Sequence, residues 1–324
     1  MSEPRRPGIP RGLAGYAVTG ATAAGAARLA YAVLNRRPPG GIKTWSRSNH
    51  RGEPLTLLEG PAVAAGAIAG ALCQPLYRPL AGPASWRASA AIAVGGAGAA
   101  VFGAYDDLAG SGDRRGFRGH LGALRHGEVT TGAVKIGGIG LTGLASAVTA
   151  GGPPADVALN AALVAGAANL LNLFDLRPGR AIKVAIVCAA LLSPGGSAGP
   201  AAPLGAGVGL LGEDLGERAM LGDAGANALG AMLGASATSL PRPARIAALA
   251  GIAGLTAASE KVSFTRVIAR TPVLNWLDML GRRPSPPPIS AASVPAQRRP
   301  GGPGGMASPQ ERGASGGRPP ESAP

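Results

Sequence analysis

Long apolar runs alternate with short polar, arginine-rich stretches along this chain as far as about residue 260. A helix needs roughly 20 apolar residues to cross the ~30 Å hydrocarbon core of a bilayer. Nine candidate runs are present, at about 12–34, 61–80, 86–105, 132–150, 156–174, 181–193, 201–212, 224–240 and 245–259. The pattern predicts an all-α, polytopic helical membrane protein with about nine or ten transmembrane helices. The sixth and seventh runs are short, so they either extend into neighbouring glycines or form one re-entrant pair. A soluble core helix accounts for either run alone, but not for nine in succession. The first run lacks a persuasive small-residue cleavage site and is expected to be a retained span rather than a signal peptide.

The pattern changes after the last run. Residues 261–283 place apolar side chains at helical spacing, with Phe264 and Trp276 among them, and Pro272 interrupts the stretch. This predicts one or two amphipathic interfacial helices. Residues 284–324 are rich in Pro, Gly, Ser and Arg and carry almost no large apolar residue, so a disordered cytoplasmic tail is expected. Residues 1–260 read as one transmembrane domain.

Composition alone permits a soluble protein; only the distribution of its residues excludes one. Charged residues are 15% of the 324, and most of the 53 glycines lie inside apolar runs, where small residues let helices approach closely. The net charge of +14 favours anionic headgroups or phosphate substrates. Nucleic acid is not an expected partner, because the arginines are scattered over loops without aromatic interleaving. Cys73 and Cys188 both fall in apolar runs and read as packing thiols.

The basic residues also orient the chain. Arg36, Arg37, Lys43, Arg47 and Arg51 occupy one loop, and Arg114, Arg115, Arg118 and Arg125 another. Arg177, Arg180 and Lys183 follow the fifth run, and Lys261, Arg266 and Arg270 follow the last, while the alternate loops near 151–155 and 194–200 have none. The bias places the basic loops in the cytoplasm, with Arg5, Arg6 and Arg11 as mild exceptions.

Acidic residues at the run ends carry the candidate chemistry. Asp106 and Asp107 close the third run, Asp175 closes the fifth in Asn169-Leu-Leu-Asn172-Leu-Phe-Asp175, and Asp223 opens the eighth in Leu-Gly-Asp-Ala-Gly-Ala-Asn. All are expected on the cytoplasmic face. Carboxylates near lipid are kept mainly where they meet water, an ion or a substrate, and a converging set suits a hard divalent cation and a phosphorylated ligand. The bland alternatives are a solvated loop or helix cap for the aspartate pair, helix–helix hydrogen bonds for Asn169 and Asn172, and a plain N-cap for Asp223. The spacing of three places Asn169, Asn172 and Asp175 on one helical face. The turn Leu-Arg177-Pro-Gly-Arg180 suits a phosphate. Lys135, just inside the fourth run, either snorkels to headgroups or points at a diphosphate. His50, His120 and His126 lie in loops without metal-ligand spacing.

In order, these motifs resemble those of the polyprenyl-phosphate N-acetylhexosamine-1-phosphate transferases, the group containing phospho-MurNAc-pentapeptide translocase and its GlcNAc-1-phosphate relatives. That family has an Asp-Asp pair after an early span, an Asn-x-x-Asn-x-x-Asp string ending a middle one, and Met-Gly-Asp-x-Gly-Ser opening a later one. Here Asp106-Asp107, Asn169/Asn172/Asp175 and Leu221-Gly222-Asp223-Ala224-Gly225-Ala226 stand in those places. The segment from Trp45 to Pro61 resembles the first cytoplasmic loop. The chain departs where the family continues Gly-Leu-Asp-Gly, where it has Ser in place of Ala226, and where it carries a late histidine-rich loop.

The resemblance implies Mg²⁺-dependent transfer of a sugar-1-phosphate from a UDP-sugar to a polyprenyl phosphate, with release of UMP, in cell-envelope synthesis at the inner (plasma) membrane. It implies Asp223 and Asp175 as metal ligands, and Asp106 or Asp107 orienting or deprotonating the lipid phosphate. Lys135, Arg177 and Arg180 would hold phosphate oxygens, and Asn169 and Asn172 would position ligand or carboxylates. A homodimer is compatible with this reading. The departures favour a rival, a polyprenyl-phosphate-binding regulator or scaffold without turnover. A transporter would instead place its polar groups at mid-membrane.

Overall fold

The computed structural model describes residues 11–49, 51–77, 85–110, 130–193 and 198–284. Arg114, Arg115, Arg118 and Arg125, the three histidines, and the tail after Pro284 lie outside the described residues. The chain divides into one unit over Met1–Arg283 and a second over Pro284–Pro324, and every described helix belongs to the first.

That unit is helical apart from one small hairpin. Helix α1 (Arg11–Arg36) is followed by the single turn α2 (Ile42–Trp45) and the antiparallel strands β1 (Ser46–Ser48) and β2 (Pro54–Thr56). Then come α3 (Glu59–Cys73), α4 (Trp86–Ala109), α5 (Thr131–Ala150), α6 (Pro154–Phe174), α7 (Arg180–Leu192), α8 (Ala201–Leu215), α9 (Gly222–Ser236) and α10 (Arg242–Ser259). Two short helices, α11 (Phe264–Arg270) and α12 (Pro272–Met279), complete the unit and match the amphipathic stretch, with Pro272 at the break.

Each apolar run is a helix. The second ends earlier than its hydropathy predicts, because Pro75 cannot continue the hydrogen-bond ladder and Gln74–Tyr77 tightens into a 3₁₀ turn. The sixth and seventh runs are separate helices of 13 and 15 residues. Four helices, Gly12–Arg36, Trp86–Ala109, Thr131–Ala150 and Pro154–Phe174, are long and apolar enough to cross a membrane. Helices α3, α8 and α9 have 15 residues each. At 1.5 Å per residue that is roughly 22 Å, short of a full hydrocarbon core.

Helix α9 is the axis of the unit. Every residue of it is buried except Asp223, so the helix is enclosed by its neighbours and leaves one half-buried charged side chain at its N-terminal end. It packs chiefly on α4 and α6, with α3 alongside. Small residues make this approach possible: a Cβ on Gly230 would lie 2.4 Å from the Ala167 carbonyl, and one on Gly60 would lie 2.1 Å from that of Leu221. Helices α1, α3 and α8 pack together in the same manner, Ala23 and Ala27 of α1 meeting Gly70 and Gly66 of α3.

Candidate functional site

The last turn of α4, the start of α5 and the first turn of α9 converge. Asp107 receives the N–H of Asp223 on Oδ1 at 3.0 Å and that of Ala224 on Oδ2 at 2.9 Å. Helix α9 has Leu221 at its own N-cap and no capping side chain there, so Asp107 of α4 satisfies donors that α9 leaves open. Gly222 permits this twice over. Its φ of +58° is left-handed, and a Cβ would lie 2.9 Å from an Asp107 oxygen. Gly103, one turn before the aspartates, passes so close to Asp223 that a Cβ would fall 2.3 Å from its carbonyl oxygen.

Lys135 turns inward. Its Nζ donates to Asp106 Oδ2 at 2.7 Å and also to Asp223 Oδ2. One ammonium thus joins two carboxylates from different helices. Arg47 of β1 donates from Nη2 to the Asp107 carbonyl, tying the hairpin to the same spot. The hairpin also holds the approach to α9: Thr56 N–H donates to the Arg218 carbonyl at 3.2 Å, and Met220 N–H returns to Thr56 at 3.0 Å.

Asp175 lies beside this cluster as the C-cap of α6, buried, with Oδ2 accepting no hydrogen bond. Burial, then the charges of Asp214, Asp223 and Asp107, hold its carboxyl well above the ordinary range, against the pull of the Gly222 N–H. It lines a cavity of about 230 Å³ together with Arg177, Asp214, Glu217, Ser48 and Asn49.

Of the residues singled out in the sequence, Asp106, Asp107, Lys135 and Asp223 are linked by direct hydrogen bonds, Asp175 lies near Asp107 and Asp223, and Arg177 lines the cavity with Asp175. Three others differ from expectation. Arg180 is not free to hold a phosphate: it is buried, with Nε and Nη2 on Asp278 at 2.6 and 3.0 Å and Nη1 on Thr265 at 3.0 Å. Asn169 is exposed and Asn172 half-buried, whereas Asp175 is enclosed. The reason is rotational: a step of three falls about 60° short of a full turn, so two steps separate Asn169 from Asp175 by roughly 120°.

Sequence reasoning missed several acids. Glu59, in the first turn of α3, is 0% exposed with both carboxylate oxygens lacking a partner, and Asp214, near the end of α8, is 2% exposed with Oδ2 lacking one. Signals were present. Glu59 sits in Leu57-Leu58-Glu59-Gly60, an acid among apolar residues, and Asp214 lies at a helix C-terminus, where the dipole disfavours negative charge. Glu217 holds a left-handed φ of +56° and receives Asn49 Nδ2 at 2.7 Å.

Among the described residues no group of three or more His, Cys, Asp or Glu side chains stands at metal-ligand spacing. The donor chemistry nonetheless fits a hard divalent cation: Asp175 offers a buried, unpartnered oxygen, and Asp223 is close enough for its charge to act on Asp175. No protein-family model matches the chain, and no curated protein matches it either.

Proposed function

We propose that this protein is a multi-pass enzyme of the inner (plasma) membrane that moves a sugar-1-phosphate from a UDP-sugar to a polyprenyl phosphate on the cytoplasmic face, for cell-envelope polymer synthesis. One observation carries the reading: Asp106, Lys135 and Asp223, from three separate helices, meet around one ammonium group, with Asp107 bracing two of those helices. The reading includes nine or ten crossings with the basic loops cytoplasmic, in which α3, α8 and α9, each too short for a full hydrocarbon core, would cross within the helix bundle.

Asp223 and Asp175 would hold Mg²⁺, which when bound supplies charge neutralisation for a diphosphate. Lys135 and Arg177 bind phosphate oxygens. Asp106, at the edge of the cluster, orients the lipid phosphate and takes its proton if it arrives protonated. An oxygen of that phosphate then forms a bond to the sugar-side phosphorus of the donor, and the bond to the UMP oxygen breaks. Asp107, whose oxygens are both engaged by backbone N–H groups, positions α9 and does not touch substrate. Arg180 is held by Asp278 and Thr265 and does not contact substrate.

A second reading, a polyprenyl-phosphate-binding regulator or scaffold, is favoured by the Lys135 ammonium, which pairs with both Asp106 and Asp223, and by Leu-Arg177-Pro-Gly-Arg180 standing where the family has Gly-Leu-Asp-Gly. Purified protein incubated with Mg²⁺, polyprenyl phosphate and a panel of UDP-sugars separates the two. Lipid-linked sugar and stoichiometric UMP are expected from one donor, and neither from Asp223→Ala. Saturable binding of polyprenyl phosphate without UMP from any donor would replace the enzyme with the scaffold. Full turnover by Asp223→Ala would remove that residue from the site.

A further inference from the structure

Helix α12 is built inside out for a protein in water. Its one buried residue is Asp278, while Val273, Leu274, Trp276, Leu277 and Leu280 just beyond its end are exposed, Val273 by 67% and Trp276 by 63%. A soluble helix packs its apolar stripe and shows its charges. Here the packed contacts are polar. Asp278 accepts from Arg180 Nε and Nη2 and from Arg282 Nη1 at 2.9 Å, and Lys183 Nζ donates to the carbonyls of Leu277 and Asp278 at 3.1 and 2.7 Å. Helix α11 buries no residue, and its half-buried Phe264 stacks on Phe174 at 5.0 Å between ring centroids. A segment with its polar groups inward and its apolar groups outward is matched to an apolar medium.

The cations identify which one. Exposed Lys261, Arg266 and Arg270 flank the apolar side chains and form no ion pair among the described residues. From Glu260 to Arg283 the acids are Glu260 and Asp278, and Asp278 is already neutralised. Basic groups beside exposed Trp and Leu complement phosphate headgroups with acyl chains below. A second copy of the chain would cover the apolar residues but would bring like charges together.

We propose that residues 261–280 form a docking surface for anionic phospholipid, and that this surface is clamped to both flanks of the Asp175 loop. The clamps are Phe264 on Phe174, immediately before Asp175, and Asp278 on Arg180, five residues after it. Seating the segment in the headgroup layer therefore fixes the loop that carries Asp175 and Arg177. The proposal concerns a lipid surface and stands whether or not the site turns over sugar nucleotides.

The test uses full-length protein in nanodiscs of mixed phosphatidylcholine and phosphatidylglycerol, with acyl-chain bromine placed on one lipid or the other. Bromine quenches tryptophan at short range, and Trp276→Phe subtracts the signal of Trp45 and Trp86. Quenching of Trp276 is expected, stronger by roughly twofold when the bromine is on the anionic lipid. That preference should vanish in Lys261→Gln/Arg266→Gln/Arg270→Gln, whose substitutions are all at exposed positions and leave Trp276 in place. Absence of Trp276-dependent quenching would overturn the docking surface, a blue-shifted but unquenched Trp276 placing protein there instead. Equal quenching from both lipids, unchanged in the triple variant, would overturn the anionic preference.

Discussion

Replacing Asp107 with asparagine should destabilise the fold, whereas the same change at its neighbour Asp106 should chiefly stop the sugar-phosphate transfer we propose. Both residues sit in the last turn of α4, yet their surroundings differ. Asp107 spends both carboxylate oxygens on the first N–H groups of α9, at 3.0 and 2.9 Å. An asparagine keeps one acceptor and turns an NH₂ toward the second donor. The change removes one hydrogen bond to a charged group, worth about 1.5–3 kcal/mol, and strands a backbone N–H. It also removes an anion from a helix N-terminus, worth about 0.3–1 kcal/mol. The expected loss is therefore about 2–4 kcal/mol. Asp106 pairs with Lys135, which keeps Asp223 when Asp106 is neutralised, so Asp106→Asn should cost about 1 kcal/mol or less. Equilibrium unfolding of the two variants in one detergent, followed by the loss of helical signal, measures the difference. If Asp106→Asn proves as destabilising as Asp107→Asn, or if Asp107→Asn unfolds with the parent, Asp107 is not the cap of α9.

Three further outcomes follow from the same geometry. Gly103→Ala would press a Cβ to within 2.3 Å of the Asp223 carbonyl oxygen and 2.8 Å of Ala224 Cα, forcing α4 away from α9. Overpacking of this kind costs about 1–3 kcal/mol, and a displacement near 1 Å costs roughly 100-fold in rate, so lipid-linked sugar formation should fall far more than folded yield. Lys135→Met leaves Asp106 and Asp223 facing each other unpaired. With side chains about one-fifth exposed, a loss near 2 kcal/mol is expected, and Lys135→Met/Asp106→Asn should recover most of it in the same unfolding assay. Burial works against ionisation of Asp278, but Arg180, then Arg282 and Lys183, outweigh it and hold its carboxyl below the ordinary range. A depressed pKa means the clamp's contribution is complete above the ordinary carboxyl pKa of about 3.9 and is lost as pH falls through the lower folded value. Trp276 emission should therefore be constant from neutral pH down to about 4 and change below it. An early change, near pH 6, would assign the clamp to another group.

The sequence carried the helices almost completely, because runs of Ala, Gly, Val and Leu bounded by Pro, Gly and charge leave few alternatives. It missed the early end of α3 only by passing over Pro75. It also brought out the acids that meet, since aspartate at the end of an apolar run is costly unless used. What it lacked was the third dimension of each contact. Asp223 reads as an N-cap for its own helix, but the cap comes from Asp107, 116 residues earlier, and Asp223 is left to face Lys135. Arg180 reads as a phosphate ligand because Asp278, its partner, is 98 residues away. Asn169 reads as a companion of Asp175 until a 3.6-residue turn is counted rather than a three-residue step. Glu59 and Asp214 were passed over for the opposite reason: each is a single acid in its segment, and only the packing of α3 and α8 against the Asp175 loop gives them company. Three enclosed carboxyl groups with unpartnered oxygens, Glu59, Asp175 and Asp214, lie near one another; a packed interior does not hold three adjacent negative charges, and Asp175 is accordingly held toward its neutral form. Near Asp214 are Lys183 of α7 and Arg282, and both also contact α12 at Asp278. The contacts of α12 through Asp278 therefore share cations with the acids of the cavity, and Asp278→Asn should loosen the Asp175 loop before it loosens the helices beneath; faster amide hydrogen exchange over residues 174–180 with α4 and α9 unchanged is the expected result, and equal loosening of all three would refute it.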